Sequence, residues 1–328
     1  GLPYDTTFSG QLTQAGTAAL HFEKAGPGTM TLTNGTNNTT GNFTIAGGTL
    51  VLSGDAVFTT PTGTSAGAVN VNSATATLDF SGITADSIRA GSITSAAGSR
   101  INLGSKTLIA GSNNASSTLA GTITGDGGGL IKTATGLGSG TLTITGVNTY
   151  TGPTIVDQGL LRIRDSVLVN TPGPLGNSDG AVVVGSPTSA VGNQHNAHIH
   201  LLVQSLDDDG HLTFARPLDF SQAPQNATSN DRTRFRLENN NNGSPDRSTL
   251  TVSGDVKLGA RNVEFSVDKS GQRMEFTGDI TGGAGATVFL TGLTSTAANA
   301  DGASGGTFYF SDMERTFVSS ISLTLGKV

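Results

Sequence analysis

Gly140-Thr141-Leu142-Thr143-Ile144-Thr145 repeats a stretch met earlier in the chain, Gly28-Thr29-Met30-Thr31-Leu32-Thr33. In both, apolar residues occupy every second position. Met30 and Leu32 face one way, and Thr29, Thr31 and Thr33 face the other. A period of two with β-branched threonine on the outer face is the signature of a strand. The self-similarity extends outward. Gly41 matches Gly152, and Ile45-Ala46-Gly47-Gly48-Thr49-Leu50-Val51-Leu52 matches Val156-Asp157-Gln158-Gly159-Leu160-Leu161-Arg162-Ile163. Upstream, Thr7-Phe8-Ser9-Gly10-Gln11-Leu12-Thr13 matches Thr118-Leu119-Ala120-Gly121-Thr122-Ile123-Thr124. Each unit spans 46 residues, and a degenerate third copy starts at Phe276-Thr277-Gly278-Asp279-Ile280 and ends near Leu325.

Gly, Asn and Asp bound the short apolar runs, and these residues accept the positive φ of sharp corners. No stretch of ten residues carries a 3.6-residue stripe, so helix is expected to be scarce. Many short strands suit a sandwich, a propeller or a solenoid. Asn34-Gly35 and Asp126-Gly127 fit sandwich hairpins. A propeller needs one blade period throughout. Here the copies stand apart, while the stretches between them keep strand-like runs such as Ala76-Thr77-Leu78-Asp79-Phe80 and Lys106-Thr107-Leu108-Ile109. That mixture predicts an all-β chain folded as one β-solenoid over 1–328, with roughly 20–25 residues per turn. An irregular, more charged bulge is expected around 170–247.

The segments Gly28-Thr29-Met30-Thr31-Leu32 with Gly48-Thr49-Leu50-Val51-Leu52, and Gly128-Gly129-Leu130-Ile131-Lys132 running into Gly140-Thr141-Leu142-Thr143-Ile144-Thr145-Gly146-Val147-Asn148-Thr149-Tyr150-Thr151-Gly152, resemble the passenger-associated transport repeat. Such repeats occur in autotransporter passenger domains and other large bacterial surface proteins. The resemblance implies a right-handed parallel β-helix outside the cell. The final residues, to Leu325-Gly326-Lys327-Val328, do not resemble the alternating strands of a translocator barrel.

Composition agrees with export. Charged residues are 13%, net charge is −6, and cysteine is absent among 328 residues. A chain with no basic excess lacks the electrostatic means to hold nucleic acid. Without cysteine it has no disulfide framework and no thiolate metal site. No apolar run reaches the ~18 residues of a spanning helix. Gly1-Leu2-Pro3-Tyr4-Asp5 lacks a basic stretch leading into an apolar one, so no export signal is expected within the chain itself. The expected location is the bacterial cell surface or the extracellular medium.

Candidate sites gather where composition changes. Residues 205–247 contain 12 charged residues in 43, after the irregular connection Pro172-Gly173-Pro174. Four of five histidines lie at 195–211. His198 and His200 share a strand face, as two metal ligands would, with His195 and Asp209 as further weak candidates. No third ligand is set by spacing. Arg232, Arg234 and Arg236 form a period-two cationic stripe that suits sulfate, phosphate or an acidic sugar. The alternative is a solvated strand face neutralised by Asp231, Glu238 and Asp246. Gly63-Thr64-Ser65-Ala66-Gly67 and Gly302-Ala303-Ser304-Gly305-Gly306 match a nucleophile elbow in letters, but no helix follows either. Asp79, Asp86 and Asp157 are the carboxylates available for glycoside cleavage.

The last alternating run places Phe317, Ile321, Leu323 and Leu325 on one face with little to cap it. It predicts end-to-end or edge-to-edge self-association. The expectation is a non-enzymatic, structural or adhesive surface scaffold without cofactors, with a host or matrix surface ligand as a candidate partner. The alternatives are a secreted effector or receptor ligand working through 205–247, and a polysaccharide-processing β-helix enzyme.

Overall fold

Leu, Ile, Val and Phe at alternate positions need an interior. In this chain they find it by stacking coil upon coil. The computed structural model describes residues 4–14, 18–34, 40–58, 67–135, 140–186, 198–203, 210–222, 233–239, 248–268, 271–283, 286–292, 307–310 and 322–325. Strands are two to seven residues long, and no helix occurs among the described residues. The chain forms two compact units, Gly1–Thr154 with Thr171–Ser178, and Ile155–Asn170 with Asp179–Val328. Each is a parallel β-solenoid, as the alternation predicts.

In the first unit the chain runs repeatedly through three parallel sheets. One contains Thr6–Phe8, Thr29–Leu32, Thr49–Gly54, Thr77–Ile83, Arg100–Asn102 and Thr122–Thr124, stacked in sequence order. A second stacks Ser87–Ala90, Thr107–Ala110 and Gly129–Lys132. The third stacks Phe22–Lys24, Phe43–Ile45, Val69–Val71, Ile93–Ser95, Ser117–Leu119 and Thr141–Ile144. Because the pairing is in register, each inward residue lands on its counterpart one coil away. Leu50, Leu78, Ile101 and Ile123 make one such column, each 0% exposed. Each fully buried side chain of this size contributes about 1.5–3 kcal/mol over leaving it in water.

The second unit repeats the scheme. Leu161, Ile199, Phe235, Phe265 and Leu290 align down one sheet, and the first four are fully buried. Phe214, Phe235, Phe265 and Phe276 meet edge to face in succession, with ring centroids 5.3, 6.3 and 4.7 Å apart. These offset contacts are favoured by the ring quadrupoles.

Turn length separates the two units. Register partners lie 20 to 29 positions apart in the first, as for Ser87 with Thr107 and Ser53 with Gly82. In the second the separation reaches 38, as for Leu160 with His198 and His211 with Thr249. The expected 20–25 residues per turn therefore underestimates the second unit. Its coils keep the strand pairing and lengthen the connections, which a solenoid tolerates because closing a longer loop costs little extra entropy. His211–Phe214, Leu218–Asp219 and Thr233–Asn239, all within 205–247, are members of the stacked parallel sheets.

Candidate functional site

The outward face of one sheet in the second unit gathers a dense set of charged side chains among the described residues. Leu160–Ile163, His198–Val203, Thr233–Asn239, Asn262–Val267 and Thr287–Gly292 stack there in parallel. Register puts Leu160, His198, Arg234, Glu264 and Phe289 in one column. Arg162, His200, Arg236, Ser266 and Thr291 occupy the next. Parallel neighbours lie ~4.8 Å apart, close enough for long side chains to bond across coils.

The guanidiniums use that reach. Arg162 donates from Nε and Nη2 to the two carboxylate oxygens of Glu238, both at 2.8 Å. Arg234 donates from Nη2 to Glu264 Oε2 at 3.2 Å. Arg236 donates from Nε to Asp268 Oδ1. Thr291 Oγ1 donates to Glu264 Oε1 at 2.7 Å. Three cations thus meet three carboxylates, and the carboxylate side chains are only 6–12% exposed. Arg234 and Arg236 are neutralised within the fold, which removes the excess positive charge an anionic ligand would seek. Of the three acids expected to balance the stripe, Glu238 serves Arg162, and Asp231 and Asp246 lie outside the described residues. Glu264 and Asp268, one coil further on, do the work for Arg234 and Arg236.

The histidines divide. His198 and His200 sit at register positions facing Arg234 and Arg236 on one side, and Leu160 and Arg162 on the other. His211 is exposed, with Nε2 3.3 Å from Thr251 Oγ1. Among the described residues no cluster of three or more His, Cys, Asp or Glu could hold a metal ion. His195, Asp209, Arg232, Phe317 and Ile321 lie outside the described residues, as do Ser65 and Ser304. Leu323 and Leu325 belong to Ser322–Leu325, the last strand of its sheet, in register with Val288 and Leu290.

Two of the aspartates nominated for glycoside cleavage, Asp79 and Asp157, accept hydrogen bonds from neighbouring polar groups. Asp79 accepts hydrogen bonds from Ser81 N at 2.9 Å, Ser81 Oγ at 2.7 Å and Asn102 Nδ2 at 2.9 Å. Asn102 Oδ1 in turn accepts from Thr124 Oγ1 at 3.4 Å, continuing the line to a third coil. Asp157 accepts from Ser186 Oγ at 2.5 Å, and Asp86 is exposed.

Several polar residues not singled out by sequence are buried. Lys24 is 6% exposed, Lys132 1%, and Arg216 and Asn148 0%. Burial lowers the Lys24 pKa from its ordinary 10.5 by desolvating the charged form. The missed signal was phase: Lys24 continues the inward positions of Phe22-Glu23-Lys24 and pairs in register with Ile45. Asn148 mimics a strand where none is named. Its Oδ1 accepts from Ile123 N at 2.7 Å and its Nδ2 donates to Pro174 O at 2.8 Å. Its backbone exchanges bonds with Gly173 at 2.9 and 3.1 Å. Tyr150, also fully buried, places its hydroxyl 2.8 Å from Thr154 Oγ1.

Lys24, Asn148 and Tyr150 fall within segments that have a family match. Residues 22–52 and 137–163 match the passenger-associated-transport-repeat. Two stretches of the chain are thus similar to this repeat. Neither a curated protein nor a solved structure matches the chain significantly. The two passenger repeats do not occupy equivalent faces of the coil. Thr29–Leu32 stacks between Thr6–Phe8 and Thr49–Gly54, whereas its sequence counterpart Thr141–Ile144 stacks on Ser117–Leu119, in a different sheet. The passenger repeat is thus a strand–corner–strand unit that is seated on two different faces of the solenoid.

Proposed function

We propose that this chain is a non-enzymatic, surface-exposed passenger segment that acts as a stiff structural and adhesive scaffold outside the bacterial cell. The observation that carries the reading is the pair of passenger repeats seated within parallel stacked coils. Two features support it. The charged sheet face spends its ions on cross-coil pairing, and the nominated Asp79 and Asp157 carboxylates are taken up by hydrogen bonds to neighbouring polar groups. No helix among the described residues is long and apolar enough to cross a membrane.

Self-association is part of this proposal. Thr6–Phe8 is exposed along its length, with Phe8 36% exposed, and is the end strand among the described members of its sheet. A strand edge with unpaired N–H and C=O groups is a template for another strand. Sedimentation velocity across a wide concentration range tests this. Species that lengthen with concentration, and that a Phe8→Lys variant suppresses, support the scaffold. A strictly monomeric particle that binds host cells at low concentration favours the effector reading. Depolymerisation of a polysaccharide would replace both with an enzyme.

A further inference from the structure

The first passenger repeat contains a cation cradle. Lys24 follows its strand into a corner and turns its ammonium onto backbone oxygens. Nζ donates to Gly26 O at 2.9 Å, Gly47 O at 3.0 Å and Ala25 O at 3.2 Å. An ammonium has three donors and no acceptor, so three carbonyls satisfy it completely. Two of those carbonyls come from its own corner and the third from the corner one coil on. The side chain is 6% exposed, so the charge is held by fixed dipoles in place of water. Glu23, the adjoining carboxylate, forms no salt bridge with it among the described pairs. Lys132, 1% exposed, repeats the device at another corner by donating to Thr133 O.

We propose that the carbonyl corner of Ala25, Gly26 and Gly47 is a binding site for a primary ammonium ion, which the folded chain fills with its own Lys24. Backbone bonds that do not use the lysine side chain tie the two corners together on either side of the three carbonyls: Ala46 N donates to Lys24 O at 2.8 Å and Thr49 N to Gly28 O at 3.2 Å. A cavity of about 240 Å³ whose lining includes Tyr4, Glu23, Lys24, Ala25 and Met30 reaches the corner at Lys24 and Ala25. Removing the lysine side chain therefore leaves an oxygen-lined site open toward a space of ligand size. Its selectivity follows from donor count: a primary alkylammonium supplies three N–H groups, and a quaternary one supplies none.

The test is chemical rescue of Lys24→Ala, read as melting temperature. The variant is expected to melt roughly 3–8 °C below the parent. Ethylammonium chloride at tens of millimolar should recover much of that loss, while tetramethylammonium and sodium chloride at equal ionic strength should not. Lys24→Met keeps the stem and fills the space, so it should resist rescue. Equal recovery by ethylammonium and tetramethylammonium overturns the proposal, because it would report ionic strength alone. No recovery by ethylammonium overturns it too. If Lys24→Ala does not fold, the parent still decides: under native acetylation, Lys24 should label at least tenfold more slowly than Lys257, whose side chain is 59% exposed. Labelling at the same rate would show the ammonium is free in solution.

Discussion

The guanidinium of Arg162 grips the carboxylate of Glu238 through two 2.8 Å hydrogen bonds, across the whole width of the intervening strand His198–Val203. The pair joins two coils that are not sheet neighbours. Backbone pairing links each coil only to the next, so this contact adds a second-neighbour tie to a structure whose stability is otherwise built from nearest-neighbour terms.

That tie has a measurable worth. With side chains 24% and 12% exposed, the pair lies between a surface bridge and a buried one. A double-mutant cycle with Arg162→Met and Glu238→Gln should give a coupling of about 1–3 kcal/mol by urea denaturation. A coupling near zero would mean the contact is an ordinary surface pair.

Asn148 should prove more costly to lose than its polarity suggests. Asn148→Ala leaves the Ile123 N–H and Pro174 C=O without these partners in a fully buried place. The expected loss is about 2–5 kcal/mol, with hydrogen exchange at the Ile123 amide accelerated beyond the global change. A loss under 1 kcal/mol would show that the neighbouring coil closes the gap unaided.

Two corner glycines should respond differently to alanine. Both have positive φ, +62° at Gly48 and +75° at Gly127. A Cβ on Gly48 would stand 2.4 Å from Gly28 O and 2.5 Å from Gly26 O, whereas on Gly127 the nearest atom is 3.8 Å away. Gly127→Ala should therefore cost only the backbone strain, about 1–2 kcal/mol. Gly48→Ala adds a clash with the next corner and should cost clearly more. Equal melting temperatures for the two variants would refute coil-to-coil contact as the reason for Gly48.

Stability should also carry an alkaline signature. Desolvation lowers the folded-state pKa of Lys24 below 10.5. Between that lowered value and 10.5 the unfolded chain binds more protons than the folded one, so this group makes stability rise with pH across that window. Below the window it imposes a constant cost. The stability difference between the parent and Lys24→Met should therefore shift in the parent's favour as pH climbs toward 10.5. A difference independent of pH would contradict the lowered pKa.

The path from sequence to site broke at one step. The alternation of Arg232, Arg234 and Arg236 with Thr233, Phe235 and Leu237 marked the strand and its outer face correctly for Arg234 and Arg236. It did not reveal that Glu264 and Asp268 would be their partners, because these stand 30 and 32 positions away. The first-unit spacing of 20 to 29 would have pointed elsewhere. Lys24 and Asn148 escaped for a related reason: a polar residue at an inward position reads as an exception until the carbonyls that satisfy it are located.

Period-two patterning, corner residues and self-similarity were enough to dictate short parallel strands wound into a solenoid, since an alternating run can bury one face only by stacking on its like. Which strand lies beside which, and hence which acid meets which base, depended on the length of each connection. That is a three-dimensional matter, because a coil adds residues to its loops at little entropic cost while the hydrogen-bonded register between strands stays the same.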